Sequence, residues 1–320
     1  MRIAAIALLT TAFAHAADYP KAVLQDPCAD AHPCDGQIWL QLSADHPAFQ
    51  ATHDPRGAEH SAPDISPDGK LVTFGLREPV GPESLSPLHI VVIDWSGNQV
   101  RRFNEVPMGD FDTCGYGTVE WIDNSRVGVA CEFNPSMEFY MILDAQSGKV
   151  RQTFPGLRFS WSPDRRILAH IGPLIHFAVV HNYCVLFNDV EIYPKGCPDT
   201  EPLTSRSRPD TFTFRDQHTV ESDLIWSPDS RKLAFIVDVY DLDWSGEGTD
   251  HEDHEDRNHR SFLAIISADR RAVGYRITQS INQPRLQWLD NSRIQLTTGA
   301  QHDQSGVVFD LAASPPKPIP

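Results

Sequence analysis

One stretch of the chain has residue types and spacing suited to binding a metal ion. It runs from residue 241 to 252 and reads DLDWSGEGTDHE. Counted from its first residue, oxygen-bearing side chains stand at positions 1, 3, 5 and 9, glycine at 6 and glutamate at 12. This is the spacing of a twelve-residue calcium loop, in which short oxygen donors surround the ion and the last carboxylate closes the site. The predicted Ca²⁺ ligands are Asp241, Asp243, Ser245, Thr249 and Glu252.

Two departures from the calcium-loop pattern leave an alternative open. Ser245 stands where a carboxylate or amide is usual, and Gly248 stands where an apolar residue is usual. The flanking residues also read as strands and not as the helices of an EF-hand, although similar loops occur in β-hairpins. The alternative is an acidic surface loop in contact with solvent.

A histidine-rich tract follows directly. It contains His251, His254 and His259 among four carboxylates. Imidazoles in such a tract bind Zn²⁺, Ni²⁺ or Cu²⁺, or titrate at about pH 6. The spacing matches no helical metal motif, so a mobile solvent loop is the alternative interpretation.

No catalytic constellation stands out elsewhere in the sequence. His170, His176 and His181 fall on or near predicted strands, where a hydrogen-bonded structural histidine is expected. The chain has no G-x-S-x-G elbow of the kind that carries a nucleophilic serine. We therefore expect a binding protein and not an enzyme.

The elements that must position these residues are repeats. Five copies of one pattern place a short apolar strand before a polar turn and a second apolar strand after it, at Ile65–Lys70, Trp121–Arg126, Trp161–Arg166, Trp226–Arg231 and Trp288–Arg293. Aligned on the turn Asp or Asn, the copies are 56, 40, 65 and 62 residues apart, which is the range of a propeller blade with loop insertions. The sequence predicts an all-β chain folded as a single β-propeller of five blades, with a sixth blade within 171–222 as the alternative.

The repeated turn resembles the Pro-Asp, WD40-like repeats of TolB-like β-propellers. Three copies carry Ser-Pro-Asp, ending at Asp68, Asp164 and Asp229, and two carry Asp-Asn in place of Pro-Asp. The resemblance covers about residues 59–313 and implies a propeller, but no particular activity. We expect the turn aspartates, and the Trp that stands before each of the last four turns, to be structural.

The N-terminal residues predict export and ring closure. Residues 1–16 read as a secretory signal peptide with cleavage predicted after Ala16. Residues 17–58 form an N-terminal arm whose strand Gln37–Leu42 is predicted to complete the last blade and close the ring, with a loose arm as the alternative. The propeller spans 59–313, and a Pro-rich tail follows at 314–320.

Six cysteines fit an oxidising compartment, so the expected location is periplasmic or secreted. Their spacing predicts three local disulfides, which join Cys28 to Cys34, Cys114 to Cys131, and Cys184 to Cys197. A buried free thiol is the alternative for Cys184.

The net charge of the chain limits the classes of partner that we expect it to bind. With 43 acidic and 27 basic residues the net charge is −16, which opposes binding to nucleic acid or to an anionic membrane. We expect a protein or peptide partner, bound at one face by the inserted loops 75–88, 197–220 and 238–260, in a scaffold, sensor or inhibitor (immunity) role. The alternatives are a metal-dependent lyase or hydrolase with its site in the central channel, and a propeller with a structural Ca²⁺.

Overall fold

The fold of the chain is all-β in the computed structural model. The structure describes residues 20–25, 36–81, 84–103, 107–108, 111–114, 117–134, 137–172, 184–188, 190–193, 211–245, 253–267, 272–278, 284–298 and 305–313. Every helix-or-strand element within these residues is a strand. No helix in this part of the chain is long and apolar enough to cross a membrane.

The chain forms two compact units, and the first comprises residues up to 104 together with Val119–Trp121. Its strands are β1 (Lys21–Gln25), β2 (Gln37–Gln41), β3 (Phe49–Gln50), β4 (Glu59–His60), β5 (Asp64–Ile65), β6 (Leu71–Arg77), β7 (Pro79–Gly81), β8 (Ser84–Leu85), β9 (His89–Asp94) and β10 (Gln99–Phe103). They form a sheet in the order β1-β2-β3, a sheet in the order β10-β9-β6-β4 with β5 also on β6, and the hairpin β7-β8.

The second unit contains the remaining strands, except for residues Val119–Trp121 of β13. These are β11 (Pro107–Met108), β12 (Phe111–Thr113), β13 (Gly117–Asp123), β14 (Arg126–Asn134), β15 (Met137–Asp144), β16 (Val150–Trp161), β17 (Leu168–Ile171), β18 (Val185–Phe187), β19 (Val190–Tyr193), β20 (Thr211–Val220), β21 (Ile225–Trp226), β22 (Lys232–Ser245), β23 (Asp253–Ser267), β24 (Ala272–Ile277), β25 (Arg285–Trp288), β26 (Arg293–Thr298) and β27 (Ser305–Asp310). Their sheets are β11-β12, the run from β13 to β19 in chain order, β20-β22-β23-β24 with β21 also on β22, and β25-β26-β27.

The repeated turn closes through the same hydrogen bonds in each Ser-Pro-Asp copy. In the first copy the backbone N–H groups of Lys70 and Leu71 donate to Ser66 Oγ, which itself donates to Asp68 Oδ1 at 2.9 Å. Equivalent bonds form around Ser162, and around Ser227 the hydroxyl donates to Asp229 and accepts from Lys232, while the N–H of Arg231 donates to Asp229 Oδ1. The residue after each Asp has a left-handed backbone, with φ of 70°, 57° and 61° at Gly69, Arg165 and Ser230. The turn aspartates therefore hold the backbone of the turn.

The sheets of the second unit pack face to face. Alternate residues of β22 are buried on both of its faces. Leu233, Phe235 and Val237 pack with the residues of β17 and β18, and Ala234 and Ile236 pack with those of β26. The indole N–H groups of Trp226 and Trp288 donate to the carbonyl oxygens of Ser160 and Ile225, at 3.0 and 3.2 Å. The fourth and fifth repeats are thus each tied to the preceding one by apolar contact and by an indole hydrogen bond.

This arrangement confirms the fold class. Antiparallel sheets follow one another in chain order, and the sheet built on β22 is covered on both faces, as in a blade of a β-propeller. The number of blades stays a prediction. Strand β2, expected to complete the last blade, pairs with β1 on one side and β3 on the other. Closure of the ring by this arm stays a prediction.

The structure differs from the sequence prediction at the insertion that follows the fourth repeated turn, in the predicted blade that we call blade four. An inserted loop is expected over 238–260, but β22 and β23 continue into this stretch as a long hairpin with Ser245 paired to Asp253. Residues 211–220, expected to belong to a surface loop with a strand at 211–215 as an alternative, form β20 and extend this hairpin to three strands. The reason is that the apolar pattern continues beyond Asp238, since Val239 and Tyr240 are buried.

One predicted disulfide is confirmed. Cys114 and Cys131 are bonded, with Cα atoms 5.6 Å apart, and both residues are fully buried. Cys184 is also disulfide-bonded, so the free-thiol alternative is wrong. Its predicted partner Cys197 lies outside the described residues, as do both cysteines of the pair 28–34.

Candidate functional site

The predicted calcium ligands are only partly within the described residues. The first three, Asp241, Asp243 and Ser245, lie in β22, where the backbone is extended and paired with Arg257, Glu255 and Asp253 of β23. Thr249, His251 and Glu252 lie outside the described residues. A calcium loop winds around its ion, so an extended ladder over 241–245 differs from the expected loop conformation. The calcium site stays a prediction.

The histidine tract is placed on β23. The backbone of His254 pairs with Trp244. The exposed imidazole of His259 stacks on the ring of Tyr240, with centroids 5.3 Å apart and an angle of 20° between the planes. Beside it Asn258, with φ of 59°, donates from Nδ2 to Asp241 Oδ2 at 2.8 Å. Within the described ranges no three His, Cys, Asp or Glu side chains form a group that could hold a metal ion. The transition-metal site and the metal-dependent enzyme stay predictions.

A different set of charged residues gathers in the second unit, and we call it the charged cluster. Its members are Glu138 on β15, Arg158 on β16, Glu221 just after β20, Asp238 on β22 and His259 on β23. Asp238 is six residues beyond the start of β22, which places it about 20 Å along the strand from the repeated turn. The charged cluster therefore lies toward the strand ends opposite the repeated turns.

Arg158 links two elements of the charged cluster. Its guanidinium Nη1 donates to the carbonyl oxygens of Val220 and Ser222, at 3.0 and 2.6 Å. Its own backbone is left-handed, with φ of 54°, at the irregularity where β16 leaves β15 and begins to pair with β17. A non-glycine residue in this region costs about 1–3 kcal/mol, and such strain persists only where surrounding contacts hold it. The two guanidinium hydrogen bonds are contacts of that kind.

Two carboxyl groups of the charged cluster have perturbed acidity. Burial raises the pKa of Glu221, and the nearby Asp238 raises it further, while Arg158 and His259 act in the opposite direction. Burial also raises the pKa of Glu138, with a further increase from Glu132 and a decrease from Arg158. Carboxyls whose pKa is raised by burial and by a like charge concentrate at functional sites.

Asp238 supplies the second unusual feature of the cluster. Its Oδ1 atom is buried and has no hydrogen-bond partner among the described residues. A buried carboxylate oxygen without a donor is costly, so it favours a ligand that brings one. Four carboxylates, those of Glu132, Glu138, Glu221 and Asp238, share this region with one guanidinium and one imidazole. The arrangement suits a cationic group.

The sequence contains little that could reveal this cluster. Glu221 and Asp238 are brought together by the register of β20 on β22, in which Val220 pairs with Val237 and Thr219 with Asp238. Because the sequence predicts loops over 197–220 and 238–260, it does not predict this register. The run of polar residues directly before the fourth repeated turn is the sequence feature that points to the charged cluster.

No family model matches the chain, and no curated protein matches it. Among solved structures, a puromycin-hydrolyzing peptidase of Mycobacterium tuberculosis matches with 13% identity and a TM-score of 0.48, over 88% of this chain and 41% of that one. The chain thus spans less than half of that peptidase.

Two further solved structures cover more of their own length. The β-propeller domain of the trilobed protease of Pyrococcus furiosus matches with 11% identity and a TM-score of 0.40, over 93% of this chain and 84% of that one. A periplasmic gluconolactonase of Pseudomonas aeruginosa matches with 10% identity and a TM-score of 0.37, over 94% and 99%. At these identities and TM-scores the matches assign no activity to this chain.

Proposed function

We propose that this chain is an exported, non-catalytic propeller of the TolB-like repeat type that binds a basic protein or peptide at its charged cluster. The observation that carries the proposal is the buried, unpartnered Oδ1 of Asp238 beside Glu221, whose pKa is raised. A lysine or arginine side chain of a partner would pair with the exposed Glu221 and offset the negative charge around the buried oxygen. It would also remove the repulsion that disfavours ionised Glu221.

Charge complementarity supports a basic partner. The chain has a net charge of −16, and the cluster adds a local excess of carboxylates. Such a field attracts positively charged partners and speeds their association, with a strong dependence on salt. Charged groups that become desolvated on binding supply specificity.

The extended hairpin of blade four supplies a surface next to the cluster. Strand β24 pairs with β23 only over Ser261–Ile266. Among the described strands, residues 253–260 of β23 therefore pair on one edge only, with β22. An extended peptide can add to such an edge through its backbone. The edge is rich in charged residue types, which discourage self-association of the same edge.

Export is part of the proposal. A confirmed disulfide fits an oxidising compartment outside the cytoplasm. A periplasmic or secreted propeller with an acidic binding face suits a scaffold, a sensor or an inhibitor of a basic partner.

Titration of a basic peptide tests the proposal. The probe is a twelve-residue peptide of alternating Lys and Ser, and an acidic Glu-Ser peptide of equal length is the control ligand. We expect calorimetric binding of the basic peptide only, and an affinity about tenfold weaker for the double variant Asp238→Asn, Glu221→Gln. Asp45→Asn removes an exposed carboxylate of the first unit and should bind as the wild type does. Failure of the wild type to bind, or equal binding by the double variant, would refute the proposal.

A further inference from the structure

The last sheet carries a groove on one of its faces. The groove has a volume of about 420 Å³ and is lined by Arg285, Leu286 and Gln287 of β25 and by Gln295 and Thr297 of β26. Ligand sites for small molecules have volumes of about 300–1,000 Å³. The groove is therefore large enough for a ligand the size of a monosaccharide.

Strand register explains why the lining of the groove is polar. Arg285 pairs with Thr297, and Gln287 pairs with Gln295. Because side chains alternate along a strand, these four residues project from the same face of the sheet. The alternate residues of β26 are Ile294 and Leu296, which are fully buried in the core with β22 and β23. One face of the sheet thus serves packing, and the other presents hydrogen-bonding groups.

Gly306 keeps the groove open on its third strand. It lies on β27 directly opposite Thr297. A Cβ atom at this position would lie 3.2 Å from Gln295 Nε2 and 3.7 Å from Thr297 Cγ2. Glycine within a strand often marks a place where a ligand approaches the backbone closely. The missing side chain leaves the amide of Gln295 accessible beside the groove.

The groups in the groove define the chemistry of a ligand. Arg285 is exposed and forms no ion pair with any residue the structure describes, and none of the five lining residues is acidic. A guanidinium binds a carboxylate through two parallel hydrogen bonds. The two glutamine amides and the threonine hydroxyl both donate and accept, which is the pattern that recognises hydroxyl groups.

We propose that this groove binds a polyhydroxylated carboxylate of the sugar-acid class. Arg285 holds the carboxylate, and Gln287, Gln295 and Thr297 hydrogen-bond with the hydroxyl groups. The site shares no residue with the charged cluster, so it stands independently of the proposed function.

Titration with D-glucuronate, D-glucose and acetate tests the groove, using the full mature chain and two-dimensional NMR. D-glucuronate should shift resonances of β25 to β27 with a dissociation constant of about 1 mM or lower. D-glucose lacks the carboxylate and acetate lacks the hydroxyls, so each should bind about tenfold more weakly.

Variants assign the binding to the groove. Arg285→Ala should weaken D-glucuronate binding about tenfold or more, and Arg285→Lys should also weaken it because a lysine cannot form the bidentate contact. Gly306→Val should block binding without a change of charge, while the control Arg231→Ala, at an exposed turn residue, should leave it unchanged. The thermal unfolding of each variant reports whether it is folded. No binding by the wild type, equal affinity for glucose, or full affinity in Arg285→Lys and Gly306→Val would overturn the proposal.

Discussion

Replacement of Gly128 by alanine should destabilise the protein far more than a typical methyl addition. Gly128 on β14 pairs with Ile142, and the next pair on the same face joins Ala130 to Tyr140. A Cβ atom at 128 would lie 1.7 Å from Tyr140 Oη and 2.5 Å from its Cζ. The ring therefore occupies the space that a side chain at 128 would need, and one of the two must move.

The magnitude follows from what the tyrosine contacts. Tyr140 is only 2% exposed, and its Oη accepts a hydrogen bond of 2.7 Å from the indole N–H of Trp161. Overpacking costs about 1–3 kcal/mol. Loss of the hydrogen bond costs about 0.5–1.5 kcal/mol. Gly128→Ala should thus lower the free energy of unfolding by about 2–4 kcal/mol.

Urea unfolding of a double-mutant cycle measures this coupling. Tyr140→Ala removes the ring, so Gly128→Ala should cost little in that background, with a coupling energy of about 1 kcal/mol or more. Gly69→Ala is the control because no atom lies within 4 Å of the added Cβ and only its φ of 70° opposes alanine. Its cost should be about 1 kcal/mol and independent of Tyr140. Additive costs for Gly128→Ala and Tyr140→Ala would refute the steric argument.

Two further predictions concern stability. Replacing both Cys114 and Cys131 by alanine should lower the free energy of unfolding by about 3 kcal/mol, from the loop entropy of a 17-residue separation, and unchanged denaturant midpoints would contradict this. For Glu138 and Glu221 the pKa is raised on folding, so the folded state binds more protons, and their contribution to stability is present below about pH 4.5 and lost as the pH rises through the folded pKa. The melting temperature of the double variant Glu138→Gln, Glu221→Gln should therefore rise relative to that of the wild type between about pH 4.5 and pH 7. Parallel curves of melting temperature against pH would argue against the raised pKa of these carboxyls.

The repeated turns and the disulfide could be predicted from sequence because each depends on residues close together in the chain. Ser66 and Asp68 fold their own turn, and Cys114 and Cys131 are brought together by one hairpin. A second repeated signal was missed. Ser61 and Ser222, each five residues before a turn serine, accept hydrogen bonds from the buried N–H groups of residues 75 and 236, at 2.7 and 2.8 Å.

The charged cluster could not be predicted because it depends on long-range register. Glu138, Arg158 and Glu221 stand 20 and 63 positions apart in the sequence. They meet through the left-handed backbone of Arg158 and through the pairing of β20 with β22. The charged residues of the hairpin predict a loop in contact with solvent. The alternation of buried side chains at Val237 and Val239, which is typical of a strand, is less evident in the sequence. The strand structure of this hairpin depends on its pairing partners and not on its local composition.

The two-sided pairing of strand β16 limits where residues can be inserted into this protein or deleted from it. Its residues 150–156 pair with β15 and its residues 157–161 pair with β17, so the two halves of one strand have different pairing partners. A one-residue insertion within it would turn the side chains of one half to the opposite face relative to the other half, so the pairing with β15 and the pairing with β17 could not both be kept. We expect natural length variation, and new chain ends made by circular permutation, to be excluded from this strand and tolerated at the ends of the long hairpin of blade four.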